Sequence, residues 1–188
     1  MHKRFCKAHR RELASILMRI IPGLLCLSGG THAEAITDRV IIGRVEYVVV
    51  QDAGVRIKAR IDTGAGVSSI DAKIVEIKPA TAGGPERVVF QIKDDAGQMK
   101  TIERKVSAWT EIKGKGTTRS ARRPVVTLDI CLGGKHLEGR VNLADRSRFL
   151  YPVLIGRNLL KTGDFLIDPK RTFMEPPGCD SSAATSRK

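Results

Sequence analysis

The sequence predicts an all-β domain, a sandwich or a barrel, and three observations carry that reading. Val55-Arg56-Ile57-Lys58-Ala59-Arg60-Ile61 alternates strictly between apolar and basic residues, the two-residue period of a half-buried strand with a cationic outer face. Short β-branched and apolar runs recur along the chain between turn residues, as strands do in a sandwich or barrel. Only one stretch, Arg157–Thr162, reads as a helix, and Gly163 stops it.

The elements follow in order. Val40–Val50 is β-branched and apolar, and Asp52-Ala53-Gly54 turns the chain into the alternating strand. Further strands are expected at Ile70–Ile77, Val88–Ile92, Met99–Val106, Val125–Leu132, Leu137–Leu143 and Tyr151–Ile155. Gly83-Gly84-Pro85, Asp94-Asp95-Ala96-Gly97 and Gly133-Gly134 punctuate them. Phe165–Ile167 makes a last strand, so the β domain is expected over residues 37–170. Residues 171–188, with Pro176-Pro177-Gly178 and a run of Ser, Ala and Thr, read as a disordered basic tail.

The amino terminus is a separate matter. Lys3, Arg4, Lys7, Arg10 and Arg11 precede a mostly apolar Ala14–Leu27, and Ser28-Gly29-Gly30-Thr31-His32-Ala33 follows. A basic start, an apolar stretch and a small-x-small ending describe a secretory signal peptide over residues 1–33 and a periplasmic protein. Arg19 interrupts the apolar stretch, and an uncleaved anchor or a mispredicted start codon is the competing reading. Removing Met1–Ala33 takes six basic residues and Glu12 from the total of +13, which leaves +8 over 155 residues.

At 188 residues and 41% hydrophobic content the chain can bury one core, which excludes wholesale disorder. No run of 18 uncharged apolar residues exists, which excludes a polytopic helical membrane protein. Aromatics are 4% and do not interleave with the basic residues, so no specific nucleic-acid partner is expected. Beyond residue 33 two cysteines are left, Cys131 and Cys179. An oxidising periplasm would allow them to pair, but the simpler expectation is a free, buried Cys131 and an exposed Cys179.

Two segments carry chemistry. Asp62-Thr63-Gly64-Ala65 closes the alternating strand, placing a carboxylate where the chain must turn and where glycine allows close approach. Alone it is also an ordinary turn composition. Tyr151-Pro152-Val153-Leu154-Ile155-Gly156-Arg157-Asn158-Leu159-Leu160 is an apolar strand ending at a glycine, then a helix start.

Together and in this order, these segments resemble the retropepsins, single-domain aspartic proteases of retroviral type that act as homodimers. The resemblance rests on Asp62-Thr63-Gly64-Ala65 and on Leu154-Ile155-Gly156-Arg157-Asn158-Leu159-Leu160. A bacterial family within that superfamily, often labelled ATP-dependent zinc proteases, is more similar still. Its features correspond to Gly43-Arg44, Lys58–Ala65, Asp145-Arg146-Ser147, Pro152–Arg157 and Phe165–Pro169. The stretch after Ala65 departs from that family, which usually has Arg where Gly66 stands and His where Asp71 stands. That difference bears on substrate preference and activity.

The resemblance implies a single closed or partly open β-barrel with one short C-terminal helix. It implies a homodimer whose two Asp62 carboxylates share a proton around one water. Thr63 and Gly64 would shape the catalytic loop. Ala65, Gly156 and Arg157 would support it, Arg157 through an ion pair across the dimer or as a plain surface charge. Asp71 could serve as an intrachain partner but reads more simply as a strand residue facing solvent. Neither half of the family's label fits the residues. Beyond residue 33 the chain has one histidine, His136, and no His-Glu-x-x-His. Gly114-Lys115-Gly116-Thr117-Thr118 lacks the phosphate-loop frame. No metal and no cofactor are expected.

The basic segment Lys100–Arg123, with Gly114 and Gly116, is the candidate flap, or else a solvated loop, and Trp109 would anchor it to the core. As a flap it would favour acidic peptides or anionic envelope polymers. The leading expectation is an exported aspartic endopeptidase acting on a peptide or protein substrate. The alternative is a non-catalytic module that binds a peptide or an envelope protein on the same fold, and a basic protein binding DNA or lipopolysaccharide has the least support.

Overall fold

The structure, a computed structural model, describes residues 39–81, 83–113 and 120–179. The proposed signal peptide, the Gly114–Thr118 stretch and the end of the tail lie outside the described residues. Among the described residues eleven strands and one α-helix follow in order: β1 (Ile41–Gly43), β2 (Val45–Val50), β3 (Val55–Ile61), β4 (Ser68–Asp71), β5 (Lys73–Lys78), β6 (Arg87–Lys93), β7 (Met99–Lys113), β8 (Ser120–Leu132), β9 (Lys135–Ala144), β10 (Val153–Ile155), α1 (Arg157–Gly163) and β11 (Leu166–Asp168).

The main sheet runs β2-β3-β10-β4-β9-β8-β7-β6-β5, and β2 also pairs with β8. That second pairing, Val49 with Cys131 and Val50 with Ile130, closes six strands into a barrel. The strand with the strict alternation behaves as its pattern dictates. Val55, Ile57, Ala59 and Ile61 point into the core, while Arg56, Lys58 and Arg60 stay exposed. Ile70, Val126, Leu128, Ile130, Leu137, Val141, Leu143, Val153 and Ile155 fill the same interior. Burial of such side chains contributes about 1.5–3 kcal/mol each, so the barrel is held chiefly by its inward alternation.

Three expectations change. The strand expected over Ile70–Ile77 breaks at Ala72, whose N–H donates to Ala144 O as the last bond of the β4–β9 pairing before β5 turns to pair with β6. Among its described residues the basic segment is strand: β7 and β8 run past their apolar stretches, paired from Val106 with Val126 to Lys113 with Ser120. Backbone hydrogen bonds, not apolar alternation, carry that extension, so no hydrophobic period marks it. Trp109 secures it laterally, donating from Nε1 to Glu86 Oε2 at 2.8 Å beneath the Arg122 guanidinium.

The third change concerns the tail. Residues 171–179 pack on the barrel. Arg44 N donates to Arg171 O, and Phe173 N donates to Val45 O. Phe173 stacks against Tyr47. The Glu46 carboxylate, 0% exposed, accepts from the N–H groups of Gly43, Met174 and Glu175. A Cβ at Gly43 would lie 2.5 Å from Arg171 O, so only glycine leaves room for this strap. Cys131 and Cys179 form a disulfide across 48 residues, with Cα atoms 5.6 Å apart. The cysteines are therefore linked, against the expectation of two free thiols. Turn-rich composition hid a segment whose contacts are made mainly by its backbone.

Closing a loop of that length stabilises a fold by about 2–5 kcal/mol. Cys179→Ala should lower the unfolding free energy by about that amount, read from urea denaturation. Reduced wild type should unfold at the midpoint of the variant, because both lack the same link.

Candidate active site

Asp62 stands one residue beyond β3 and on its outer face, in step with Arg60. Its N–H donates to Ile155 O at 2.9 Å, extending the β3–β10 pairing by one residue. The carboxylate then turns the chain: Oδ1 accepts from Gly64 N at 2.9 Å and from Ala65 N at 3.2 Å. Among the described residues Oδ2 has no hydrogen-bond partner. Asp62 is half-buried, while Thr63 and Gly64 are exposed. One oxygen thus orders the loop and the other is presented outward.

The second motif forms the floor beneath this loop. A Cβ on Gly156 would lie 2.9 Å from Val67 C, 3.0 Å from Ala65 O and 3.1 Å from Ser68 N, distances no side chain tolerates. Through this close approach Arg157 N donates to Ala65 O, and Asn158 N to Gly66 O. Ser68 Oγ accepts from Gly156 N and donates to Asn158 Oδ1, which also takes Ser68 N. Asn158 Nδ2 donates to Arg140 O on β9. Arg157 folds its Nη1 back onto the carbonyls of Thr63 and Gly64, at 2.9 and 2.8 Å. Within the chain, Arg157 thus braces the loop.

Ser68 and Asn158 are the site residues that sequence reasoning missed. Asn158 lay inside the motif that drew attention, and its two-sided amide is the signal that could have found it. Ser68 carried no signal apart from its place two residues beyond Gly66. Asp71 Oδ1 accepts from Arg146 N at 2.6 Å, and its N–H donates to Pro152 O.

The surroundings of Asp62 are cationic. Register places Leu154 beside Arg60, Ser69 beside Leu154 and Asn142 beside Ser69 on one outer face. Thr110, paired with Arg123 at the base of the β7–β8 hairpin, donates from Oγ1 to Asn142 Oδ1. Arg146, on the loop after β9, reaches over this face and donates from Nη1 to Ser69 Oγ at 2.9 Å. Burial pulls the Arg146 guanidinium below its usual pKa, Asp71 and Asp62 act to raise it, and Arg123 lowers it further. Phe149 and Leu150 on the same loop are exposed, Leu150 by 84%.

His136 is exposed, with Nδ1 3.5 Å from Asp129 Oδ1. Among the described residues no group of three or more His, Cys, Asp or Glu is placed to hold a metal ion.

The floor beneath the loop makes one measurable demand. Gly156→Ala must push the two segments apart, at a cost of about 1–3 kcal/mol. Urea denaturation should read that loss, and hydrogen exchange should show faster exchange at the Arg157 and Asn158 amides than in wild type.

Residues 41–177 match the family model described as retropepsin-like aspartic endopeptidase RimB. Relatives named probable alpha-L-glutamate ligase, from Shewanella pealeana and Shewanella halifaxensis, are each 34% identical over 140 residues, 72% of this chain and 30% of theirs. The chain thus spans under a third of those relatives. A solved structure, the Legionella pneumophila protein Lpg0085 of unknown function, is 32% identical with a TM-score of 0.59, covering 72% of this chain and 97% of that one. With the six-stranded barrel and the paired motifs in place, the chain belongs to the RimB-like family of retropepsin-like aspartic endopeptidases.

Proposed function

We propose that the protein is an aspartic endopeptidase that hydrolyses amide bonds in acidic peptides, with a water activated by two Asp62 carboxylates of a homodimer. One observation carries the reading: Asp62 spends Oδ1 on the loop and leaves Oδ2 outward, above a floor built by the second motif. A rigid loop that offers one free carboxylate oxygen suits proton transfer in a fixed geometry. Two such loops across a symmetry axis would give a base and an acid, because adjacent carboxylates resist double ionisation.

Two facts support acidic substrates. Arg60 lies two residues before Asp62 on the same face, Arg146 is within electrostatic reach of Asp62 and Arg123 is within reach of Arg146, and a cationic cleft concentrates anions. The relatives named as alpha-L-glutamate ligases carry a region like this chain inside a longer protein, which favours α-linked glutamyl peptides as the first substrates to try. Export belongs to the same proposal: the amino-terminal pattern suits a signal peptide, and the Cys131–Cys179 link suits an oxidising compartment.

The test compares wild type with Asp62→Asn on α-linked oligoglutamyl peptides, with sedimentation velocity on the same samples. Wild type should cleave, and the variant should lose about a hundredfold to ten-thousandfold in rate while keeping its circular dichroism spectrum. A dimer should sediment at working concentration. A stable monomer that binds these peptides without cleaving them would instead establish a binding module on this fold.

A further inference from the structure

We propose that Arg146, assisted by Arg123, is the specificity-determining residue of the site, a carboxylate-reading subsite that selects an acidic side chain next to the scissile bond. The inference rests on the peptidase reading above and deepens it.

The geometry of Arg146 is that of a fixed donor with capacity to spare. Its backbone N–H is held by Asp71 Oδ1 at 2.6 Å. Nε donates to Tyr151 O at 3.2 Å, and Nη1 donates to Ser69 Oγ at 2.9 Å. The Phe149 ring lies under the guanidinium, 4.6 Å from its carbon to the ring centroid. Three anchors and a stacking surface therefore set the plane of the fork. Among the described residues Nη2 has no partner. Arginine presents its donors as a planar fork matched to a carboxylate, so a fixed plane with an open edge is a preformed anion site.

The charge accounting points the same way. Among the described residues no carboxylate forms an ion pair with the Arg146 guanidinium, since Asp71 bonds the backbone N–H instead. The side chain is half-buried, and Arg123 adds a second positive charge within electrostatic reach. Two guanidinium groups near one another in a partly dehydrated place repel, and an anion between them relieves that repulsion. Asp62 is also within electrostatic reach of Arg146. A carboxylate captured by Arg146 would thus belong to a residue close to the bond that Asp62 addresses. The exposed Phe149 ring beneath the fork can cover the methylenes of a glutamyl side chain.

Binding to the full chain in an Asp62→Asn background separates this proposal from the question of turnover. The probes are a fluorescent α-linked glutamyl peptide and its glutaminyl isostere, followed by anisotropy. The parent should prefer the glutamyl peptide. Arg146→Gln should weaken that peptide about tenfold to a hundredfold and leave the glutaminyl peptide nearly unchanged. Arg146→Lys should retain part of the preference, and Arg123→Gln should lose less of it than Arg146→Gln. A loop clamp without a reading role would weaken both peptides alike, and that result overturns the proposal. So does a parent protein with no preference, or an Arg146→Gln variant that keeps it. Preference lost in Arg146→Gln, with no hydrolysis by wild type, would leave the subsite standing and remove the peptidase reading. Hydrolysis that is indifferent to Glu or Gln would do the reverse.

Discussion

The site depends on the absence of one side chain. Gly156 lets the turn after β10 press against residues 65–68, closer than any Cβ would permit. Several cross-links between the two motifs follow from that approach: Arg157 N to Ala65 O, Asn158 N to Gly66 O, and the Ser68 hydroxyl between Gly156 N and Asn158 Oδ1. Each such bond is worth only about 0.5–1.5 kcal/mol net. Their joint effect is geometric, because they fix the carbonyls and amides of a loop that would otherwise be free to rearrange. Two segments some 90 positions apart thus behave as one unit, which is the physical reason that each motif predicts the other.

The strap that closes the chain reaches the same unit from the opposite side. Arg171 O takes Arg44 N, and Arg44 O takes Ile61 N, the residue before Asp62. A single peptide unit therefore separates the strap from the strand that presents the carboxylate. Buried Glu46 gathers three N–H groups from Gly43, Met174 and Glu175, and the disulfide ties Cys179 to β8, where β2 closes the barrel. Barrel closure, strap and Asp62 strand share neighbouring residues, so disorder in one is felt in the others.

What the sequence disclosed follows from which forces write themselves into local pattern. Inward alternation did so, and β3 was legible residue by residue. The order of elements and the short helix were legible for the same reason. The break at Ala72 was not, because it depends on a bond to Ala144, a partner more than seventy residues away. The long hairpin was not, because its outer half is held by backbone pairing between polar residues. At the site, Asp62, Gly64 and Gly156 could be singled out because turns demand special residues. The brace made by Arg157 and the link through Ser68 depend on where side chains meet in space, and neither has a local signature. The tail was misjudged because Pro, Gly and Ser describe a chain without regular structure, which is a different thing from a chain without contacts.

The distribution of arginines separates holding from binding. Away from the site, several cations are paired: Arg56 with Asp95, Arg104 with Asp52, and Lys78 and Arg87 with Glu103. The last group draws the Glu103 carboxylate below its ordinary pKa, mainly through hydrogen bonds from Lys78 and Arg87. Around Asp62, by contrast, Arg60, Arg123 and Arg146 have no ion-pair partner among the described residues. The loop there is held without ion pairs, by backbone amides, Ser68, Asn158, the Asp62 carboxylate oxygen and the Arg157 guanidinium on two carbonyls. A site assembled without ion pairs can offer its remaining charged groups to an incoming ligand, whereas one assembled with ion pairs would have to break them first, at several kcal/mol when partly buried. The fold thus supplies rigidity through Gly156, Ser68 and Asn158 and leaves electrostatics to the substrate. Arg157 thus serves the scaffold through the carbonyls of Thr63 and Gly64, and on the proposed reading the open edge of Arg146 serves the chemistry.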